Sequence, residues 1–336
     1  MTAARLVAVV GPTATGKSAL AIALAQRFGG EVLGCDSTAV YRGIDIGTDK
    51  VPAAEQGGVP HHLIDLVEPT AVYSAARYAA DAAAVARAVV ARGHLPILAG
   101  GTGFYYRALV RGMFPGPARD EALRARLERV AERRGTESLH RWLQRVDPAS
   151  AQRIQPRDRM RLVRALEVYR LTRRPLTEHF AHTVSPIAEF AILPIGLRLP
   201  ADLLRERVTR RVDQQFHAGL LGEVEQLVAA GVPPGAHAFS GLVYRQVMEL
   251  RAGVRDLAAT RDLIIRENLR YARRQAMWFR REAGVHWLDL AGETPEAVAI
   301  AAGVVEAWLS TPQGPKPPRS GAASVGAPGL QTRGDQ

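Results

Sequence analysis

The sequence predicts an α/β protein in which a parallel sheet is flanked by helices and interrupted by an all-helical insertion. Three observations carry this expectation. Short apolar runs alternate with helix-length segments over the first hundred or so residues. A glycine-bounded loop joins the first apolar run to the first helical segment. A later stretch, 118–189, is dominated by helix-like runs and crowded with arginine.

LVAVV at 6–10 is apolar throughout and reads as a fully buried strand, with 17–28 as the helix after it. EVLGC at 31–35 reads as a second strand, ending at Asp36. Ser74 is a side-chain cap for an Ala-rich helix over 74–92, and Gly93 stands just past its end. LPILA at 95–99 is another buried strand, followed by the turn GGTGFYY. Strands that are apolar on every residue, separated by helices, indicate a parallel sheet covered on both faces. Residues 118–181 hold sixteen arginines against nine acids and no obvious strand signal. EFAILPIGLRL at 189–199 reads as a strand returning to the sheet. Helical stretches are expected at 201–230, 242–252 and 256–282, and a last short strand in VHWLDL at 285–290. The expected organisation is a core from 1–117 and 190–310, an insertion at 118–189, and a disordered Pro/Gly/Ser-rich tail at 311–336.

The chain has 336 residues, 47% of them hydrophobic, enough for a sizeable core. Cys35 is the single cysteine, so no disulfide or Cys-based zinc site is expected within the chain. No apolar run approaches membrane-spanning length, and a cytoplasmic, membrane-free protein is expected. The net charge of +11 favours a polyanionic partner, most often nucleic acid. Lysine occurs only at 17, 50 and 316. A GC-rich genome would account for arginine over lysine, though not for the excess of bases over acids.

Gly11, Pro12, Thr13, Ala14, Thr15, Gly16, Lys17 and Ser18 match G-x-x-x-x-G-K-[ST] between a strand and a helix. The loop N–H groups and the helix N-terminus form an anion cradle, as in P-loop NTPase-like folds. Lys17 adds positive charge, and the Ser18 hydroxyl is placed to hold Mg²⁺. A nucleotide hydrolase also needs a metal-holding acid at the end of a second buried strand. LPILAGGTG has none there; EVLGC is followed by Asp36, which the residues alone leave open as metal ligand or base. His61 and His62 with Asp65 suggest a metal, but adjacent imidazoles cannot readily face one ion.

GPTATGKS, DSTAVYRGIDIGTDK (36–50), GVPHHLIDLVEP (58–69), YSAARY (73–78), LAGGTGFYYRAL (98–109), DRMRLVRALEVY (158–169) and RYARRQAMWFR (270–280) occur in one order. In that order the blocks resemble the tRNA dimethylallyltransferase (tRNA isopentenyltransferase) family. The resemblance implies transfer of a dimethylallyl group from its diphosphate to N6 of adenosine 37, beside the tRNA anticodon. The loop at 11–18 then holds the donor diphosphate. Asp36 resembles the family's proton acceptor, with a role as water-mediated Mg²⁺ ligand as the alternative. Thr102 resembles a residue touching the donor's bridging oxygen and the target base. Arg211 matches an arginine gripping the diphosphate, and Arg207 lies one turn earlier on the same face.

The same resemblance implies contact with the tRNA anticodon stem-loop through Asp36, Ser37, Thr38, Ala39, Thr102 and Arg124. It extends this to Met160, Arg161, Leu162, Val163, Arg164, Tyr244, Arg245 and Gln246. On the helix at 256–282 it adds Arg273, Arg274, Gln275, Trp278 and Arg280. Arg157, Arg161 and Arg164 are spaced to share about one helix face. Arginines interleaved with an aromatic suit phosphates and unstacked bases. One pocket and one RNA loop suffice for a monomer. The chain departs from the family pattern at Ala39, Met160 and Val243, where Gln, Gln and Gly are usual. Other readings are a small-molecule kinase or nucleotide hydrolase, an enzyme prenylating free adenine nucleotides, and an RNA-binding protein without catalysis.

Overall fold

The computed structural model describes residues 3–114 and 116–311. The expected tail lies outside the described residues, apart from its first residue. The chain divides into two compact units. One takes the residues through Arg111 together with those from Ser185; the other is Gly112–Val184.

In the larger unit β1 is Ala4–Val10, α1 Lys17–Phe28, β2 Gly30–Gly34, β3 His61–His62, α2 Ala75–Ala91, β4 Leu95–Gly100 and α3 Gly103–Arg111. The smaller unit is helical: α4 Glu121–Arg134, α5 Thr136–Val146, α6 Pro148–Arg153, α7 Arg159–Thr172 and α8 Leu176–Ala181. The larger unit resumes with β5 Phe190–Leu197, α9 Ala201–His217, α10 Leu220–Ala229, α11 Tyr244–Arg251, α12 Leu257–Phe279, β6 His286–Leu288 and α13 Pro295–Ser310.

The six strands form one sheet in the order β3-β2-β4-β1-β5-β6, every pair parallel. Leu6 to Val9 are fully buried, as strands covered on both faces require. Helix α1 follows β1 through Gly16, whose φ of +84° only glycine adopts without strain. Ser74 caps α2 by accepting from the Arg77 N–H at 3.2 Å. The expected helix over 201–230 is two helices, broken at Gly219 with φ +96°. Three elements had no sequence expectation: β3, only two residues long; α3, which takes GFYY of the expected turn into a helix; and α13, which packs Ala301, Ala302 and Val305 against the core of the sheet.

Strand order positions the site. Strands β2, β4 and β1 are adjacent, so the segments leaving their carboxyl ends stand side by side on one edge. Those segments carry Asp36, Thr102 and the loop from Gly11 to Gly16. Crevices outside the carboxyl ends of parallel strands are where such sheets bind ligands.

The histidine pair serves the sheet rather than a metal. The buried Glu31 carboxylate, at the start of β2, accepts from Arg92 Nη2 and meets His62 Nε2 and His94 Nδ1, each at 2.6 Å. The Arg92 hydrogen bond, with help from the two histidines, holds the Glu31 carboxyl down at about 2 against the opposing effect of burial. His61 Nδ1 sits 2.9 Å from the Val59 carbonyl, and Asp65 pairs with Lys50 at 2.6 Å.

Candidate active site

The phosphate-type loop begins at Gly11, where φ is +137° and a Cβ would lie 2.4 Å from the Leu197 carbonyl oxygen. Thr15 is buried and donates its hydroxyl to the Pro12 carbonyl at 2.9 Å, fixing the turn. The first turn of α1 leaves N–H groups without intrahelical partners, facing the cradle. Lys17 folds under the loop and donates to the Pro12 carbonyl at 2.6 Å. Burial, then the neighbouring Arg211 charge, brings Lys17 down to about 7; Asp36 pulls the other way.

Helix α9 supplies both expected arginines. Arg211 donates Nη1 to Thr13 Oγ1 at 2.7 Å and pairs through Nε with Asp49 at 2.6 Å. Arg207 donates Nε to the Ala14 carbonyl at 2.7 Å and pairs with Glu293 at 2.5 Å. The resemblance points to Arg211, yet both arginines grip the loop.

Asp36 follows β2, and its Oδ1 accepts from Thr38 Oγ1 at 2.6 Å and from the N–H groups of Thr38 and Ala39 at 2.8 and 3.3 Å. The other oxygen, Oδ2, makes no hydrogen bond within the described residues. One oxygen is anchored and the other remains able to accept a proton. Thr102 Oγ1 accepts the Ser37 N–H at 3.1 Å, while its own proton has only Ser37 Oγ at 3.5 Å. Its hydroxyl is therefore oriented but free to donate to a ligand.

The sequence singled out α12 as an arginine–aromatic helix, and the structure splits it by face. Arg273, Arg274 and Arg280 are exposed and, among the described residues, form no ion pair. Gln275 is not an outward contact: it is buried, its amide oxygen accepts the Thr13 N–H at 2.8 Å, and its Nε2 donates to the Gly101 carbonyl at 2.9 Å. It thereby joins the loop at 11–16 to the segment carrying Thr102. Trp278 lies against Gly103, where a Cβ would meet its ring at 2.3 Å. Tyr271, which sequence reasoning missed, stands close to Thr102 and Asp36. Burial, then the Asp36 charge, pushes its phenol up to about 12. The spacing 271, 275, 278 is i, i+4, i+7, a signal readable once one member is known to face the site.

Other expected RNA contacts also point inward. Ala39, Tyr244 and Gln246 are buried; the Tyr244 hydroxyl donates to Glu223 and accepts from the Gly47 N–H at 3.0 Å. Arg245 is exposed between them. Val243, where the usual glycine is replaced, takes φ +76° and ψ −62°, a strained geometry for a β-branched residue.

In the helical unit, α7 starts at Arg159 with Asp158 as its cap, so Arg157 falls outside the helix and does not share its face. Leu162 and Val163 belong to the unit's core. Arg124 and Arg164 both bind the fully buried Glu167, at 3.0 and 2.7 Å. Burial opposes ionisation of Glu167, but these two arginines bring its carboxyl below the ordinary range. Met160 and Arg161 are the block's exposed members, Met160 at 78%.

Among the described residues no group of three or more His, Cys, Asp or Glu side chains is arranged to hold a metal. The oxygen donors here are the exposed Ser18 hydroxyl and the Asp36 carboxylate. Such a sparse, hard-oxygen set fits Mg²⁺ bound mainly through a ligand's phosphates and water. No described helix is long and apolar enough to cross a membrane.

A family model described as IPP transferase matches residues 39–282. A tRNA dimethylallyltransferase from Thermomicrobium roseum is 46% identical over 287 residues, 85% of this chain and 86% of that protein. One from Solibacter usitatus is 44% identical over 292 residues, 87% of this chain and 94% of that one. The solved full-length tRNA isopentenylpyrophosphate transferase of Bacillus halodurans matches with a TM-score of 0.68 at 36% identity, over 91% of this chain and 96% of that structure. The sheet with its phosphate loop, the ordered blocks and these matches agree, and the chain belongs to the IPP transferase family of tRNA dimethylallyltransferases.

Proposed function

We propose that the chain transfers the dimethylallyl group of dimethylallyl diphosphate to N6 of adenosine 37 in the tRNA anticodon loop. One observation carries the reading. A proton-accepting carboxylate oxygen and a free hydroxyl donor stand beside a phosphate cradle, at the ends of three adjacent parallel strands.

The loop N–H groups, Lys17, Arg207 and Arg211 receive the diphosphate. The bond between the allylic carbon and the bridging oxygen breaks, and a bond from that carbon to N6 forms. The N6 proton passes to Asp36 Oδ2, and diphosphate leaves carrying the bonding electrons. Thr102, whose Oγ1 is held by the Ser37 N–H, donates towards the bridging oxygen as charge grows there. Ser18 would hold Mg²⁺, which when bound neutralises charge on the diphosphate. An anticodon loop is already poorly paired, so extruding one base costs little there. Arg161, Arg245, Arg273, Arg274 and Arg280, all exposed, supply phosphate and stacking contacts. One site per chain is enough for this reaction, and a monomer in the cytoplasm is the form we propose.

The test combines protein, Mg²⁺, labelled dimethylallyl diphosphate, ATP and unmodified tRNA. The expected result is label in adenosine 37 with ATP unconsumed. ATP turnover without labelled RNA overturns the reading in favour of a kinase or hydrolase.

A further inference from the structure

Two carboxylates sit at the donor loop with no part in the chemistry above. Each pairs with an arginine that also holds a loop atom. Glu293 meets Arg207 at 2.5 Å while Arg207 holds the Ala14 carbonyl at 2.7 Å. Asp49 meets Arg211 at 2.6 Å while Arg211 holds Thr13 Oγ1 at 2.7 Å. A planar guanidinium fixed at two points has its remaining donors aimed in one direction.

The Glu293 side has a second, independent contact. The Gly292 N–H donates to the Thr15 carbonyl at 2.9 Å. A Cβ on Gly16 would come within 2.1 Å of Glu293 Oε2 and 2.7 Å of the Gly292 nitrogen. The turn between β6 and α13 therefore lies directly on the donor loop. It also lies beyond residue 282, where the family match ends.

We infer that Glu293 is a positioning residue for the diphosphate subsite: through Arg207 it fixes the donor loop, as Asp49 does through Arg211. The inference rests on the diphosphate reading of the loop. Two effects of a carboxylate here have opposite signs. Its charge repels the incoming anion, so removing it would tighten binding. Its hold on the guanidinium orients the grip, so removing it would loosen binding. Contacts of 2.5 and 2.6 Å to the arginines make orientation the larger effect.

The experiment compares Glu293→Ala and Glu293→Gln with the unaltered chain. Inorganic pyrophosphate binding is measured by calorimetry, and steady-state transfer at saturating tRNA. Glu293→Ala should weaken pyrophosphate and raise the donor KM about tenfold, the size of one charge-assisted hydrogen bond. The tRNA KM should not change. Glu293→Gln, whose amide oxygen still accepts from Arg207, should recover most of the loss. Pyrophosphate bound as tightly by Glu293→Ala as by the unaltered chain, or more tightly, overturns the inference. So does a Gln variant impaired equally with a matching fall in Tm, which marks a merely structural residue. Should Glu293→Ala fail to fold, Asp49→Ala and Asp49→Asn carry the same prediction. If the unaltered chain binds pyrophosphate but leaves tRNA unlabelled, the prenyl-transfer reading falls, and the pyrophosphate data still judge Glu293.

Discussion

The donor loop at 11–18 and the start of α7 at 159–164 are both contiguous blocks that resemble family motifs, yet they are built on different principles. The loop acts through backbone N–H groups, so consecutive residues share one task. Its side chains mainly hold the turn in place, as Thr15 does from a buried position. Helix α7 acts through side chains, and 3.6 residues per turn send neighbours to opposite faces. Leu162 and Val163 fill the core, Arg164 serves the buried Glu167, and Met160 and Arg161 remain outside. A block in a loop can be read whole; a block on a helix must be read by face.

If that contrast holds, damage at the catalytic edge should cost turnover and leave RNA binding intact. Asp36→Ala is expected to reduce single-turnover transfer about 10²–10⁴-fold, the usual worth of a general base. tRNA affinity, measured by filter binding, should stay near that of the unaltered chain. Equal loss in both measurements would show Asp36 to be an RNA contact or a fold determinant instead.

Glu167 tests the helical unit from the opposite side. It is fully buried and compensates two arginines, so Glu167→Ala strands both. A broken buried pair typically costs about 3–5 kcal/mol. A value near the lower end is expected in urea unfolding, because Arg124 and Arg164 retain 17% and 31% side-chain exposure to water. Any loss of tRNA affinity in this variant should track the loss of fold. A variant that stays fully folded but loses tRNA would return Arg124 and Arg164 to the RNA-contact set.

What the sequence disclosed follows the same division. The strands β1 and β4 were legible because a strand covered on both faces is apolar at every position. Lys17 and Ser18 were legible from the phosphate-loop pattern and Asp36 as an acid at a strand end, whereas Thr102 was legible only through the family resemblance. Strand β3 escaped because two histidines carry no period. Gln275 and Tyr271 escaped in role because an exposed arginine and a buried glutamine look alike within one polar run. Glu293 lies in a turn with no motif, and only the packing of Gly292 against the donor loop reveals it.

A pH titration sharpens the loop side of the comparison. Lys17 stands at about 7 without ligand, well below its ordinary value, and a bound diphosphate restores its charge. Pyrophosphate affinity should therefore fall as pH rises above about 7, by up to tenfold per unit, with proton uptake on binding. Without ligand the sign reverses for stability. The unfolded chain holds the Lys17 proton up to its ordinary value of 10.5, so this group makes folding more favourable as pH rises from about 7 towards 10.5. Lys17→Arg should abolish the pH dependence of pyrophosphate binding in that window. Calorimetry in buffers of different ionisation enthalpy measures the proton directly, and zero uptake at pH 8 would show that Lys17 is already charged.

Arg161 carries the smallest expected effect and the most specific one. Its side chain is 70% exposed and its ion pair with the helix cap Asp158 is a surface contact at 3.1 Å. Exposed pairs of this kind contribute little to folding, about 0–1 kcal/mol. Arg161→Ala should therefore leave the urea midpoint almost unchanged. A phosphate contact, by contrast, releases about one counterion, so the plot of log affinity for tRNA against log salt should lose about one unit of slope. The two measurements separate Arg161 from Arg164, one turn further along the helix, in function. Arg164→Ala should move the midpoint through Glu167 and leave the slope alone. If Arg161→Ala leaves the slope untouched as well, side-chain exposure does not predict RNA contact on this helix, and the face-by-face reading of α7 fails.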